Sequence, residues 1–490
     1  MASTELNRTA SGEIRQEMLS FWSGFTKDAS AEDMMLDTNA SSLQREELPE
    51  VLSLLPEYKG QRILELAGGI GRFTGILADQ AAHVTTVDFI AEFIEKNKDK
   101  NKKRGNIQFI ADDAMNLSFP EKSFDIIFTN WFLMYLSSED MAMIKQRMLM
   151  WLKDGGYFFC RESCNVASGN YDIEYNPTYY RSPQEYHDLL MGTKGKIECQ
   201  QSDWDFNIVF VKSLQSYAKL KQNRNQMCWL LQKCKQDYGR EISVDPRQTL
   251  KCKLDSKKTI SQLERLLGDD YNTFLGHHFI ETQFEKLNVK PGQNVLDLAC
   301  GTGSADFHIE EFYSADVVGV DSSCDKIEVA WERISQLKSE IKICFEIGDV
   351  TKSVYPPEHF DVIYSGRESM HIHKKQSLLK NIMTWLKPGG KFGFYEFSEG
   401  NNSQDSEDNY LQNLKSGGFI DVSTTDVSQH LINKLTDGKK NISEKRPELT
   451  VIFTDDELKL LEDDWSKTIT CLEDGDKKWS WFDGQKPSGM

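Results

Sequence analysis

Leu64-Glu65-Leu66-Ala67-Gly68-Gly69-Ile70-Gly71 is an apolar run ending in closely spaced glycines, and Asp88 follows it at the end of Val84-Thr85-Thr86-Val87-Asp88. The pattern predicts a strand, a tight turn, a helix and a second strand that ends in an acid. Glycine permits a turn with positive φ and lets a ligand lie against the main chain. An acid after the next strand can accept both hydroxyls of a ribose. The stretch therefore describes a nucleoside site in an α/β fold.

A dinucleotide site calls for G-x-G-x-x-G, whose third glycine packs the helix on the sheet. Thr74 stands three residues after Gly71. The run Glu65 to Gly71 instead resembles the first motif of the Rossmann-like methyltransferases that bind S-adenosylmethionine. The resemblance implies cofactor contacts from Glu65, Gly68, Gly69 and Gly71, with Asp88 and Phe89 at the ribose. On these residues alone, another nucleotide site or a merely tight strand-helix turn stays open.

Further along, Asn106 to Ala111 reads as a strand ending in Asp112-Asp113-Ala114, and Phe124 to Asn130 as a buried strand. An acid after a third strand can accept a hydrogen bond from an adenine amino group. Asp113 is the choice over Asp112, with Ala114 and Asn130 completing the cofactor set. Before the first strand, Glu13 to Phe25 has helical periodicity and carries Phe21, Trp22 and Phe25. It reads either as an amphipathic helix packed on the sheet or as a lid closing over a small substrate.

The same series recurs. Leu296-Asp297-Leu298-Ala299-Cys300-Gly301-Thr302-Gly303 parallels the opening stretch, Asp321 parallels Asp88, and Asp349 parallels Asp113. Phe360 to Tyr364 parallels Phe124 to Phe128, and Trp385 to Gly390 parallels Trp151 to Gly156. Two ordered copies predict two tandem Rossmann-like methyltransferase domains, each with a mainly parallel sheet and a ligand beyond the strand ends. The expected division is a catalytic domain over 1–240, a helical connection over 241–275 and a second methyltransferase-like domain over 276–490.

At 490 residues the chain is long for one core, and its net charge of -18 argues against nucleic acid or an anionic membrane as the main partner. A small molecule is the expected substrate. The ten cysteines form no C-x-x-C pair, no metal site is expected, and Met1 to Arg15 lacks the apolar stretch of a secretory signal. These features predict a cytoplasmic protein without membrane insertion.

Beyond the cofactor framework stand Phe21-Trp22, Met34-Met35-Leu36-Asp37, Arg72-Phe73-Thr74, Asn130-Trp131-Phe132-Leu133-Met134-Tyr135-Leu136, Arg161-Glu162-Ser163-Cys164 and Asn176-Pro177-Thr178-Tyr179-Tyr180-Arg181. Together they resemble the phosphoethanolamine N-methyltransferases of plants and nematodes, most of all over residues 15 to 235. The resemblance implies S-adenosylmethionine-dependent methylation of phosphoethanolamine towards phosphocholine, with the N-terminal half similar to the type that makes the monomethyl product. It also implies that Tyr135 occupies the place of a catalytic histidine, and Trp22 joins it as a catalytic candidate. A phenol is a poor base near pH 7, so the expected role of Tyr135 is to orient the amine. Asn176, Tyr179, Tyr180 and Arg181 are expected to clamp the phosphate, Arg181 through paired charge-assisted bonds. A loop tied by Arg181 to the protein's own groups is the alternative.

The second copy departs from this pattern. From Glu396 to Gly418 is 22 residues, against 33 from Glu162 to Gly195, and no Tyr/Arg cluster fills the difference. His371 stands at the family's catalytic position, yet Gly366-Arg367 replaces the Arg and Asp expected before it. These features predict a C-terminal domain that keeps the fold without phosphobase turnover. Two classes of function remain at this point: an enzyme active in its N-terminal domain, on phosphoethanolamine or another small amine, and a non-catalytic cofactor-binding interaction protein.

Overall fold

Burial without alternation along the central strands is what a sheet covered on both faces requires. In the N-terminal half, β1 (Arg62–Leu66) and β2 (His83–Asp88) bury every residue after their first, while β3 (Ile107–Ala111) is half-exposed at the edge. β4 (Phe124–Asn130), β5 (Leu152–Ser163), β6 (Trp204–Ser213) and β7 (Gln226–Lys235) complete a sheet ordered β3-β2-β1-β4-β5-β7-β6. β7 lies antiparallel between β5 and β6, and the other pairs are parallel. Leu66 sits beside both Val87 and Thr129, so the carboxyl ends of β1, β2 and β4 open side by side. The strand order reverses between β1 and β4, which is where such sheets receive ligands.

The computed structural model describes residues 11–27, 29–192, 204–235, 245–267, 277–337, 342–366, 376–399 and 405–489. The chain falls into two units, Met1–Arg240 and Glu241–Met490. Under the first glycine turn, Phe73 meets Phe128 at 5.0 Å between ring centres, and Phe128 stacks on Phe159 at 5.4 Å. Burying each such ring contributes about 1.5–3 kcal/mol, so the floor of the turn is stiff as well as apolar.

The second unit repeats the topology with β8 (Asn294–Leu298), β9 (Asp316–Asp321), β10 (Ile343–Ile347), β11 (Phe360–Ser365), β12 (Leu386–Glu399), β13 (Ile420–Asp426) and β14 (Lys477–Gln485), ordered β10-β9-β8-β11-β12-β14-β13. It differs in two connections. Helices Ser428–Glu444, Arg446–Leu449 and Asp455–Glu473 join β13 to β14, where the first unit has only Gln215–Lys221 between β6 and β7. Residues 164–182 separate β5 from its following helix Pro183–Met191, whereas only 400–406 separate β12 from Glu407–Ser416.

The described part of the expected connection, helices Pro246–Leu254 and Lys257–Leu267, is built into the second unit. Leu250 and Leu263 share a core with Ile442, Leu449, Phe453 and Leu458, and Lys257 bridges Glu328 at 2.8 Å and Glu332 at 2.7 Å. A separate linker would leave those leucines in water, and packing on the inserted helices removes that cost. No described helix is long and apolar enough to cross a membrane, and the described cysteines are free thiols.

Candidate active site

A Cβ on Gly68 would stand 2.1 Å from Thr86 Oγ1, and one on Gly71, at φ 77°, would stand 2.3 Å from Asn97 Oδ1. Both positions therefore need glycine, the first for the sheet beside it and the second for the helix Ala91–Asn101 behind it. The turn is strained as well: Ala67 is left-handed at φ 58°, and Ala299 repeats this at φ 68°. An L-residue in that region costs about 1–2 kcal/mol.

Asp88 fastens the turn from the end of β2. Its Oδ2 accepts the Gly69 N–H at 2.9 Å and its Oδ1 the Ile90 N–H at 3.0 Å. Burial nonetheless pushes its carboxyl up to about 6. Glu65, buried on β1, is pushed up to about 7 by its burial, although Thr74 Oγ1 donates to it at 2.5 Å. Asp113 caps the turn Ala114–Asn116 through the Met115 N–H at 2.8 Å and meets Arg15 Nε at 3.4 Å. Asp112 accepts from the Asp113 N–H at 2.7 Å and from Asn116 at 3.2 Å.

These groups open on a cavity of about 420 Å³. Of the residues chosen from sequence, Glu65, Gly68, Gly69, Asp88, Phe89, Asp113, Ala114, Asn130, Trp22, Tyr135, Asn176 and Tyr180 line it. Gly71, Tyr179 and Arg181 do not. Gly71 acts through packing, as its Asn97 contact shows. Arg181 is buried with Nη1 donating to the Leu133 carbonyl at 3.2 Å and Nη2 to that of Leu136 at 2.6 Å, its guanidinium 4.8 Å from the Tyr179 ring centre. The paired donors expected to grip a phosphate are turned onto the chain itself.

Trp22 and Tyr135 meet edge to face at 6.0 Å, and Trp22 also packs on Phe21, Phe25 and Phe93. The helix Ser11–Ser23 thus contributes both a core contact and a cavity wall through Trp22, as the packed-helix reading expects. Burial, with the Tyr180 hydroxyl nearby, pushes the Tyr135 phenol further above its ordinary range. It stays protonated, so it is a donor with a lone pair to offer and no base. Beside it, Asn176 donates to the Tyr180 hydroxyl at 3.1 Å and accepts from Thr178 at 2.5 Å.

Sequence reasoning passed over two features. Glu47, wholly buried, lies between Arg72 at 2.6 Å and Arg161 at 3.3 Å, and Arg161 also donates to Asn130 at 3.0 Å and stacks 3.9 Å from the Trp131 ring centre. Burial pushes Glu47 up, but the two guanidiniums outweigh it and hold the carboxyl below its usual range. One carboxylate between two arginines leaves a net positive wall, with Arg72 lining the cavity. A lone acid in a helix offers no sequence signal for this. The second feature is the stretch Ala167 to Tyr171, which lines the cavity and is sewn to Leu36, whose carbonyl accepts the Asn170 and Tyr171 N–H groups at 3.0 Å each. Gly169 was its signal, since a Cβ there would stand 2.3 Å from the Leu36 oxygen.

The second unit repeats the glycine turn. Asp321 accepts the Gly301 N–H at 2.9 Å and the Ser323 N–H at 2.8 Å, as Asp88 does with Gly69 and Ile90. Where Thr74 donates to Glu65, the second unit sets Asp306 beside Asp297, and Asp297 also receives the Tyr364 hydroxyl at 2.5 Å. Burial and the neighbouring Asp297 push Asp306 well above the usual carboxylate range. Gly366 is described, while Arg367 and His371 lie outside the described residues.

The strand order, the glycine turn and the acid after β2 define S-adenosylmethionine-type methyltransferase folds, present twice in one chain. Methyltransferase-domain models match residues 63–156 and 289–470. Phosphoethanolamine N-methyltransferase 1 of Zea mays is 37% identical over 494 residues, covering 96% of this chain and 95% of the relative. Phosphoethanolamine N-methyltransferase 3 of Arabidopsis thaliana is 35% identical, covering 96% and 98%. The chain belongs to the phosphoethanolamine N-methyltransferases, enzymes dependent on S-adenosylmethionine. Its fold is shared with Haemonchus contortus phosphoethanolamine N-methyltransferase 1 in complex with phosphoethanolamine and S-adenosylhomocysteine, at a TM-score of 0.58 and 22% identity over 96% of this chain and 97% of that one.

Proposed function

We propose that the cavity of the first unit transfers one methyl group from S-adenosylmethionine to the nitrogen of phosphoethanolamine, giving phosphomonomethylethanolamine. One observation carries the reading: a single cavity joins the glycine turn, Asp88 and Asp113 to Trp22, Tyr135, Asn176 and Tyr180. In this reading the glycine turn and the oxygens of Asp88 receive the nucleoside, and Asp113 takes its adenine. S-adenosylmethionine supplies the methyl as a sulfonium, and the chain must align an amine lone pair with it at near-attack separation. Tyr135 orients the amine through its phenol oxygen. Asn176 and Tyr180 hold the phosphate, with the Arg72 wall favouring its charge.

The second unit, in this reading, keeps the fold without phosphobase turnover. The connection after β12 spans only 400–406 and has no counterpart of the Asn176 to Tyr180 set. Loss of phosphate contacts removes the remote binding energy that aligns the amine. The free thiols among the described cysteines suit a cytoplasmic setting.

Labelled S-adenosylmethionine with phosphoethanolamine, its mono- and dimethyl forms, and ethanolamine tests the reading. Label should enter phosphoethanolamine and stop at the monomethyl product, with ethanolamine a very poor acceptor. Equal use of ethanolamine would remove the phosphate site, and transfer to none of the four would favour a binding protein.

A further inference from the structure

The turn that carries Tyr135, residues 132–136, has its peptide groups held from two sides. The N–H groups of Phe132 and Leu133 donate to Glu162 Oε1 at 3.1 and 2.8 Å, and that of Met134 to Oε2 at 3.2 Å. Those of Tyr135 and Leu136 close back on the Phe132 and Leu133 carbonyls, at 3.1 Å each. On the opposite side, Arg181 donates to the Leu133 and Leu136 carbonyls, and the Tyr179 N–H donates to the Met134 carbonyl at 2.7 Å. The Glu162 carboxylate and the Arg181 guanidinium are both nine-tenths or more buried.

Two buried polar head groups are expensive unless their hydrogen bonds are made, and the bonds of these two converge on one short turn. We propose that Glu162 and Arg181 are positioning residues that clamp the 132–136 turn and thereby aim Tyr135 at the amine. The proposal rests on the reading of Tyr135 given above. Arginine suits the task because its planar fork reaches two carbonyls at once, whereas the point charge of lysine reaches one. Buried polar groups that merely hold the fold would distribute their bonds over the core. Here the acceptor gathers N–H groups, the donor gathers carbonyls, and the residue between them faces the cavity.

The test compares Arg181→Lys and Glu162→Gln, each alone and combined with Tyr135→Phe, with two readouts. Amide hydrogen exchange in the full chain should speed up over residues 132–136 and stay unchanged elsewhere in the first unit. The kcat of each single variant should fall by about tenfold or more while KM for phosphoethanolamine holds within about twofold, and the loss should shrink to about threefold or less in the Tyr135→Phe background. Exchange rising throughout the unit would overturn the clamp, since the pair then holds the fold. Losses that multiply with Tyr135→Phe would overturn the route through Tyr135, and a KM effect without a kcat effect would return Arg181 to the phosphate. If Tyr135→Phe leaves kcat unchanged, the role of Tyr135 itself fails, while the exchange result still decides for or against the clamp.

Discussion

Asp88 binds two backbone N–H groups and yet is lifted to about 6, because burial outweighs those bonds. Only the ionised form offers all its lone pairs to ribose hydroxyls, so S-adenosylmethionine affinity should rise between about pH 5 and 7 and then level off. Calorimetric titration across that range should show the rise, and Asp88→Ala should abolish it. The same variant should lose on the order of 1.5 to 3 kcal/mol per hydrogen bond to the charged group. Tyr135→Phe should lower kcat with little change in cofactor affinity, because it removes the oxygen that the proposed function sets toward the amine. Asn176→Ala should raise KM for phosphoethanolamine and spare S-adenosylhomocysteine binding. Steady-state kinetics and a cofactor titration on each variant separate these outcomes.

The glycine turn shows how an element can be legible in sequence while its reasons are not. The spacing of Gly68, Gly69 and Gly71 predicts a turn at a nucleoside, and Gly68 and Gly69 do line the cavity. Gly71 instead leaves room for Asn97 of the helix Ala91–Asn101, a contact between residues 26 apart that no local pattern announces. Gly71→Ala adds a left-handed alanine and a Cβ 2.3 Å from that amide oxygen, so it should destabilise the first unit by about 2 kcal/mol or more. Ala67→Gly, which relieves a positive φ of 58°, should leave stability level or slightly raised. Urea unfolding of the two variants beside the parent gives both numbers, and equal losses would contradict the packing assigned to Gly71. Asn176 to Arg181 was legible as a polar cluster, but the division of labour within it was not. Arg181 and the Tyr179 N–H turn to carbonyls of residues 133–136, which lie 45 or more positions earlier in the chain.

Over the whole molecule, the two cofactor turns provide the test of which unit works. Asp88→Ala should abolish methylation of phosphoethanolamine, and Asp321→Ala should leave it in place. Loss of a later methylation in Asp321→Ala would make the second unit an enzyme in its own right. A pH dependence of stability follows from the same buried carboxyls. Glu65 and Glu162 are pushed up to about 7 and Asp88 to about 6, by burial first in each case. An unfolded chain releases these protons near pH 4, so between about 4 and 7 the folded state holds more of them. The stability they confer is full below that window and is lost as pH rises through it, at about 1.4 kcal/mol per pH unit per group. Glu47, held low, loses its contribution only on the acid side and does not offset this. The urea midpoint of the cofactor-free protein should therefore be higher at pH 5.5 than at pH 8, and the reverse order would show that these carboxyls ionise freely.

By itself the sequence determined the α/β class, the repeat and the glycine turn, because each is written in local spacing: apolar runs, glycines and acids at strand ends; the family came from the resemblance of motifs outside that framework. Tertiary structure alone decided that Arg181 serves the Tyr135 turn, that Glu47 binds two arginines behind the cavity, and that helices 246–267 belong to the second core. Those contacts join segments far apart in the chain: Glu47 lies 25 positions from Arg72 and 114 from Arg161, and Arg181 lies 45 from Leu136. A charge reveals in the sequence that it needs a partner, but which partner it meets depends on how the sheet brings distant segments together.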